Sequence, residues 1–368
     1  MKTRIKKGLF GLVKWPVVVA DMLLVAAFVV SAWGGAINPN TSVITAGLTL
    51  MFPILLGLMV IAVAVTAIWF RQLALVNLVA LLLCSGQILD FCPLNFLRAT
   101  EEEASRQDDD LLKVLSFNVY GFMVYGDSNH EDNNPTVDYI LKSDADIVLL
   151  QEADGFMFNR VSKEQEQLLN RKYPYNSVTY RGMAIYSKYS FVEVPVAVKD
   201  KAQLDLCRYD VTLPDDRVVH FFNVHMQSIG LTAEDKQMYV SMTSGETIGD
   251  TDRIRRGLLS KLASAFRSRA SQAHDVRSAI DSVDGDVILT GDFNDVPGSY
   301  ACLTAKGQDL KDAYRQSGLG PAITYHANRF YFRIDHMFYR GNIESVRTER
   351  GDCSTSDHYP LISTFKLQ

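Results

Sequence analysis

Apolar residues are arranged on two different scales along this chain. In the first hundred positions the runs are long: 16–37, broken only by Asp21, then 43–70, then 73–89. About 20 apolar residues in a helix cross the ~30 Å hydrocarbon layer of a bilayer. The pattern therefore predicts three transmembrane helices within a membrane domain at 1–96. Beyond residue 110 the runs shorten to strand length. Segments 111–119 (LLKVLSFNV), 146–150 (DIVLL), 183–187, 191–198, 217–225 (RVVHFFNVH), 286–291, 334–340 and 361–365 are rich in β-branched and aromatic residues and predict strands. Segments 136–142 and 161–171 predict helices. The longest helical candidate is 253–283, where Leu259, Leu262, Phe266, Ala270, Ala273, Val276 and Ile280 recur on one face.

Between the two regimes, 97–110 is polar and carries Glu101, Glu102, Glu103, Asp108, Asp109 and Asp110, the pattern of a solvated linker. The domain that follows is 111–368. Basic residues orient the membrane part. Lys2, Arg4, Lys6, Lys7 and Lys14 crowd the start, 34–41 has none, and Arg71 marks the next turn. The positive-inside rule puts the N-terminus in the cytoplasm, and three crossings put the later domain on the non-cytoplasmic side of the cell membrane. The first run also reads as a cleaved signal sequence, with Val30-Ser31-Ala32 as the cleavage site. Cleavage would leave the later domain on the same side.

Charge narrows the partners. Residues 1–100 hold seven of the 37 Lys+Arg and two of the 42 Asp+Glu, so 101–368 carry 30 against 40. A surface near −10 disfavours duplex DNA, whose phosphates are held by basic patches. The arginines at 253, 255, 256, 267, 269 and 277 read mostly as the solvated face of their helix. Cys84, Cys92, Cys207, Cys302 and Cys353 have no metal-ligand spacing and read as free thiols.

The chemistry sits at strand ends. In DVILTGDFND (286–295) an apolar run stops at Gly291, and Asp292 and Asn294 follow at i and i+2, on one side of an extended chain. Asn118, Glu152, His225, Asp335, Asp357 and His358 likewise follow or open apolar runs. Eight such residues imply convergence on one sheet rim. Hard oxygen ligands point to Mg²⁺ or a similar ion rather than zinc, and histidines beside carboxylates supply acid–base groups. Hydrolysis of a phosphate ester needs this combination. His336, next to Asp335, points to the opposite face of its strand and reads as structural. His326 reads as a loop histidine near the rim, and Arg181 lies just before GMAIYSK.

The motifs SFNVYG, LLQE, FFNVHM, GDFND, RIDHMF and SDHYP, in this order, resemble the endonuclease/exonuclease/phosphatase superfamily over 111–368. The resemblance implies an α/β four-layer sandwich of two mainly antiparallel sheets flanked by helices, here preceded by the three spans. It implies that Glu152 is the main metal-binding residue, with Asn118 and Asp357 completing or supporting the site. Asp292 then orients or deprotonates water and Asn294 donates to the phosphate. His225 is a candidate acid or phosphate ligand, and Asp335 holds and polarises His358. The cofactor implied is Mg²⁺ or Mn²⁺, as one or two ions. The expectation is a membrane-anchored, metal-dependent phosphoesterase acting on small or lipid-linked phosphoesters, with the bilayer as its partner and no obligate protein partner. The alternatives are an extracytoplasmic nuclease acting on DNA or RNA and a non-catalytic membrane sensor or scaffold.

Overall fold

The computed structural model describes residues 2–96, 111–125, 133–158, 160–199, 204–232, 234–237 and 251–368. The predicted linker at 97–110 lies outside these residues. Two compact units are present, one of residues 1–91 with 298–300 and the other of 92–297 with 301–368.

The first unit is helical. Lys14–Ala36 and Phe52–Trp69 are each long and apolar enough to cross a membrane. The predicted second run, 43–70, is divided in two. Ser42 caps a short helix, Val43–Leu50, and a new helix starts at Phe52 with Pro53 in its first turn, where the missing N–H costs nothing. The predicted third span is a broken pair, Arg71–Leu83 and Ser85–Phe91, bent by 64°. Asp21, the single charge in the first run, is buried among these helices. Asn77 Nδ2 donates to Asp21 Oδ1 at 2.9 Å and to Thr66 Oγ1 at 3.4 Å, so three helices share one polar point. In apolar surroundings such groups find their partners on neighbouring helices.

The second unit contains strands β1 (Leu111–Asn118), β2 (Ile147–Gln151), β3 (Tyr175–Val178), β4 (Ala184–Ser187), β5 (Phe191–Val194), β6 (Asp205–Thr212), β7 (Val218–His225), β8 (Asp286–Asp292), β9 (Lys311–Asp312), β10 (Asp335–Arg340), β11 (Ile343–Arg350) and β12 (Leu361–Leu367). One six-stranded sheet runs β11-β12-β1-β2-β4-β3 and the other β5-β6-β7-β8-β10-β9. The pairs β1–β2 and β7–β8 are parallel and the remainder antiparallel. Val114, Leu149, Ile185, Phe221, Ile288, Met337 and Phe365 fill the space between the sheets. Helices Pro135–Ser143 and Lys163–Lys172 cover one outer face through Val137, Ile140 and Leu169. Helix Thr251–Asp281 covers the other through Ala273, Val276 and Ile280. The result is the expected four-layer α/β sandwich. Strands β3, β6, β9 and β11 were not visible in the sequence pattern, and the strand expected at 191–198 stops at Val194.

The long helix departs from expectation at two places. Leu259 is exposed rather than packed. Arg269, expected on the solvated face, is buried with 1% exposure. Its Nε donates to Asp295 Oδ2 at 3.0 Å, its Nη1 donates to Gln227 O at 3.1 Å, and its guanidinium lies 5.2 Å from the Phe266 ring. The pair anchors the turn that follows β8. Removing one partner of a buried ion pair strands the other charge, at about 3–5 kcal/mol. Arg269→Met should therefore lower stability by that order in chemical denaturation. Arg267→Ala, at an exposed position of the same helix, should change it by less than about 0.5 kcal/mol.

His336 faces away from the rim, as its strand position predicted. It is fully buried, its Nε2–H donates to Asp295 O at 2.9 Å, and its ring stacks on Phe338 at 5.6 Å. Burial pushes its pKa down from 6.5 to about 4. Between those values the unfolded chain binds the proton and the folded one does not, so stability rises with pH. The contribution is complete above about pH 6.5 and is lost as pH falls through about 4, on the order of 3 kcal/mol. Melting temperature measured from pH 7 to pH 4.5 should fall more gently in His336→Gln than in the parent chain.

Candidate active site

Strand register brings the polar strand ends together. In the first sheet Asn118 pairs with Gln151, one residue before Glu152. In the second, Asp292 has His225 on one side and Asp335 on the other. The β7–β8 approach admits only glycine at 291, because a Cβ there would lie 2.0 Å from Val224 O, and its φ of 139° disfavours any other residue. Just past the strands, Glu152 and Asn294 adopt left-handed backbone, with φ of 55° and 52°. Such conformations cost about 1–3 kcal/mol and persist where surrounding contacts impose them. At Glu152 the contacts are Gly121 N donating to Glu152 O at 2.9 Å and Ala153 N donating to Gly182 O at 2.7 Å.

Asp292 is the centre of the cluster and is 1% exposed. Its Oδ1 accepts from Asn294 N at 2.8 Å; its Oδ2 accepts from Asn294 Nδ2 and Asn118 Nδ2, each at 3.1 Å. The Nε2 atoms of His225 and His358 each lie 3.7 Å from the same Oδ2. Behind His358, its Nδ1–H donates to Asp335 Oδ2 at 2.8 Å, which aims Nε2 at Asp292. Burial pushes Asp292 up to about 6, against the pull of His358 and His225. Burial alone would lower His358, but the carboxylates of Asp335 and Asp292 raise it to about 10, so it holds a proton at neutral pH.

Glu152 forms the solvent-facing side of the cluster. Its Oε1 accepts from Asn118 Nδ2 at 3.0 Å and lies 3.6 Å from His225 Nε2. Asp357 is buried, and burial raises its pKa, with Glu152 adding to the rise against His358. The eight residues singled out in the sequence thus lie at one rim. Their contacts differ in kind. Both amide hydrogens of Asn118 go to carboxylates, and those of Asn294 go to Asp292 Oδ2 and Met226 O. Asp292, Asp335 and His358 bring one potential ligand atom each within 4.8 Å of one another. His358 Nδ1 is spent on Asp335, so this group reads as a proton-handling relay. Glu152, on the cavity side, and the buried Asp357, near enough for Glu152 to raise its pKa, offer hard oxygens that suit a divalent cation.

Several residues that shape the site were not singled out from the sequence. Ser356 Oγ donates to Asn118 O at 2.7 Å and accepts from His358 N at 3.1 Å, joining two strand ends. Thr324 Oγ1 accepts from Asp335 N at 3.1 Å. Gln151 Nε2 donates to Asn223 Oδ1 at 2.7 Å across the two sheets. A serine two residues before a strand-end histidine, and paired amides in apolar runs, are the only signals the sequence offers for these. His326 is half-buried rather than a free loop histidine. It bonds Ser356 O at 3.0 Å and packs 4.3 Å from the Tyr359 ring. Beside Glu152 and His225 opens a cavity of about 430 Å³, also lined by Tyr120, Gly121, Met123, Asp154, Arg160, Arg181 and Asp205.

Comparison with known proteins places the chain in a family. Residues 14–91 match a domain of unknown function (DUF8431). No curated protein matches the chain. Among solved structures, an endonuclease/exonuclease/phosphatase from Beutenbergia cavernae DSM 12333 is 18% identical, covering 70% of this chain and 72% of that one, with a TM-score of 0.47. D. rerio TDP2 complexed with single strand DNA product is 17% identical over 70% of this chain and 100% of that one, TM-score 0.46. Mannosyl-6-phosphatase Bt3783 of Bacteroides thetaiotaomicron VPI-5482 is 16% identical over 70% and 100%, TM-score 0.41. Residues 115–358, about two thirds of the sequence and all of the rim described above, match the Endonuclease/Exonuclease/phosphatase family, and the chain belongs to that family of metal-dependent phosphoester hydrolases.

Proposed function

We propose that this chain is a membrane-anchored phosphoesterase whose catalytic unit acts outside the cytoplasm on small or lipid-linked phosphoesters. The observation that carries the reading is the arrangement around Asp292 Oδ2, where two imidazoles at 3.7 Å face a buried carboxylate fixed by two asparagines. Glu152 and Asp357 would hold a divalent cation such as Mg²⁺ or Mn²⁺, with Asn118 positioning Glu152. When bound, the ion supplies charge neutralisation on the phosphoryl oxygens.

The side chains divide the remaining work. Asp292, pushed up to about 6, is basic enough to orient water and take its proton. Asn294 and Asn118 keep its lone pairs directed. Asp335 locks the tautomer of His358, so that Nε2–H faces the reacting centre and stabilises charge on the phosphoryl group. His225, between Glu152 and Asp292, is placed to donate to a phosphoryl oxygen or to the leaving group.

Anchoring is supported by the two apolar helices and the bent pair Arg71–Leu83 with Ser85–Phe91, read as one broken span. The excess of acids in 101–368, 40 against 30 basic residues, favours small or lipid-linked esters over duplex DNA. Plasmid cleavage that is rapid and salt-sensitive, with little turnover of small esters, would instead make the enzyme an extracytoplasmic nuclease.

The full chain in detergent should hydrolyse a chromogenic phosphodiester with Mg²⁺ or Mn²⁺ and stop when the ion is chelated. Asp292→Ala and His358→Ala should each lower kcat by about 10²–10⁴. Glu152→Gln should raise the metal concentration needed for half-maximal rate. Equal activity in chelator and in excess Mg²⁺ would refute the reading. For topology, a reporter fused after Gln368 should respond as extracytoplasmic and one fused near Arg71 as cytoplasmic. The opposite pattern would place the catalytic unit inside.

A further inference from the structure

The cavity beside Glu152 and His225 extends past these two residues, and its further walls have a definite chemistry. On one side Arg181 Nε lies 2.6 Å from Asp205 Oδ1. Asp205 stands opposite His225 in the β6–β7 register. On the other side Arg160 Nη1 donates to Gly121 O at 2.9 Å, and a Cβ on Gly121 would touch both Arg160 and Asp154. Each wall therefore offers a guanidinium next to a carboxylate. The backbone beside Arg181 is also closely packed. Gly182, which follows it, has φ of 76°, and a Cβ there would sit 3.0 Å from Ala153 N, against the turn that carries Glu152.

We propose that this cavity holds an uncharged, hydroxyl-rich group of the substrate, of the sugar, inositol or glycerol class, and that Arg181 and Asp205 are specificity-determining residues for it. The inference rests on the phosphoesterase reading above. An alcohol both donates and accepts, so neighbouring hydroxyls match alternating guanidinium donors and carboxylate acceptors. An acyl chain would cover these charged groups without partnering them, at a desolvation cost. Charge balance disfavours a second phosphate. Three carboxylates (Glu152, Asp154, Asp205) line the cavity against two guanidiniums (Arg160, Arg181). With Asp357, the other residue proposed to hold the ion, counted as well, a bound divalent ion brings these groups only to neutrality and leaves no net positive charge for a second phosphate. Arg181, already paired with Asp205, adds no surplus cation for another anion.

The test uses the full chain in detergent with Mg²⁺. Substrates are glycerophosphoinositol, inositol 1-phosphate, phosphatidylinositol vesicles, inositol 1,4-bisphosphate, matched alkyl phosphoesters and a chromogenic diester. The free and vesicle arms separate a soluble polyol ester from a lipid headgroup. Expected is a kcat/KM for the best polyol ester at least about tenfold above its alkyl counterpart, and a fall in that ratio of about fivefold or more in Arg181→Gln and in Asp205→Asn. Free myo-inositol should compete on the unaltered chain, a readout that survives if either variant fails to fold. No polyol preference, a preference for the bisphosphate, or ratios unchanged in both folded variants would overturn the inference while leaving the phosphoesterase reading intact. If the folded chain cleaves no phosphoester with any divalent metal, the reading falls and the inference with it.

Discussion

The carboxylate of Asp292 is the constraint on which the site depends. It is almost completely removed from water, which is unfavourable for a charge unless hydrogen bonds replace the lost hydration. Three N–H donors do so, from Asn118 Nδ2 and from the backbone and side chain of Asn294. Asn118 belongs to the opposite sheet, so the bond that solvates the carboxylate also ties the two halves of the sandwich at the rim. The flanking imidazoles approach no closer than 3.7 Å. Asp292 is thus held by neutral donors and left within reach of two imidazoles, which suits the proton-accepting role proposed for it.

That arrangement needs the two sheets to stop at the same level, and buried polar pairs set the level. Gln151 reaches Asn223 across the interior at 2.7 Å, and Asn223 Nδ2 returns to Leu150 O at 3.0 Å. A one-residue slip of either strand would break these bonds and leave amides unsatisfied in a dry core. Ser356 plays the matching part at the edge, joining Asn118 O to the His358 backbone. Arg269 and Asp295 hold the β8 turn from the helix layer beneath. The reacting groups are therefore positioned by interactions that never touch substrate.

Much of this was legible in the sequence. Strands β1, β2, β7 and β8 are buried on both faces and read as short apolar runs, so their ends, and the residues there, stood out. Strands β3, β6 and β11 did not. Their burial is partial or interrupted by charges such as Arg208, Asp210 and Arg347, and a half-exposed strand has no continuous apolar run to detect. Arg269 was misread because sequence periodicity places it beside solvated arginines, while its burial comes from Asp295, 26 residues away in another element. The left-handed backbone at Glu152 had no sequence signal, whereas Asn294 is of a type that adopts it readily. The bend near Cys84 falls at Ser85-Gly86, a pair that favours kinks without shortening the apolar run.

The cavity walls differ from the rim in how they are built, and the difference bears on specificity. Most rim residues lie at the ends of central strands and are buried, so their geometry is set by the core, with Glu152 and His225 the more open. Arg160 and Arg181 lie outside the strands at solvent-facing positions, Arg181 pairing there with Asp205. Changes there alter what the cavity accepts without disturbing the strand register that serves Asp292. Loops on a rigid scaffold commonly carry this kind of variation. A family sharing one hydrolytic rim can thereby serve unlike substrates, and in this chain the substrate is selected where guanidinium and carboxylate meet beside Glu152, not where the bond is broken.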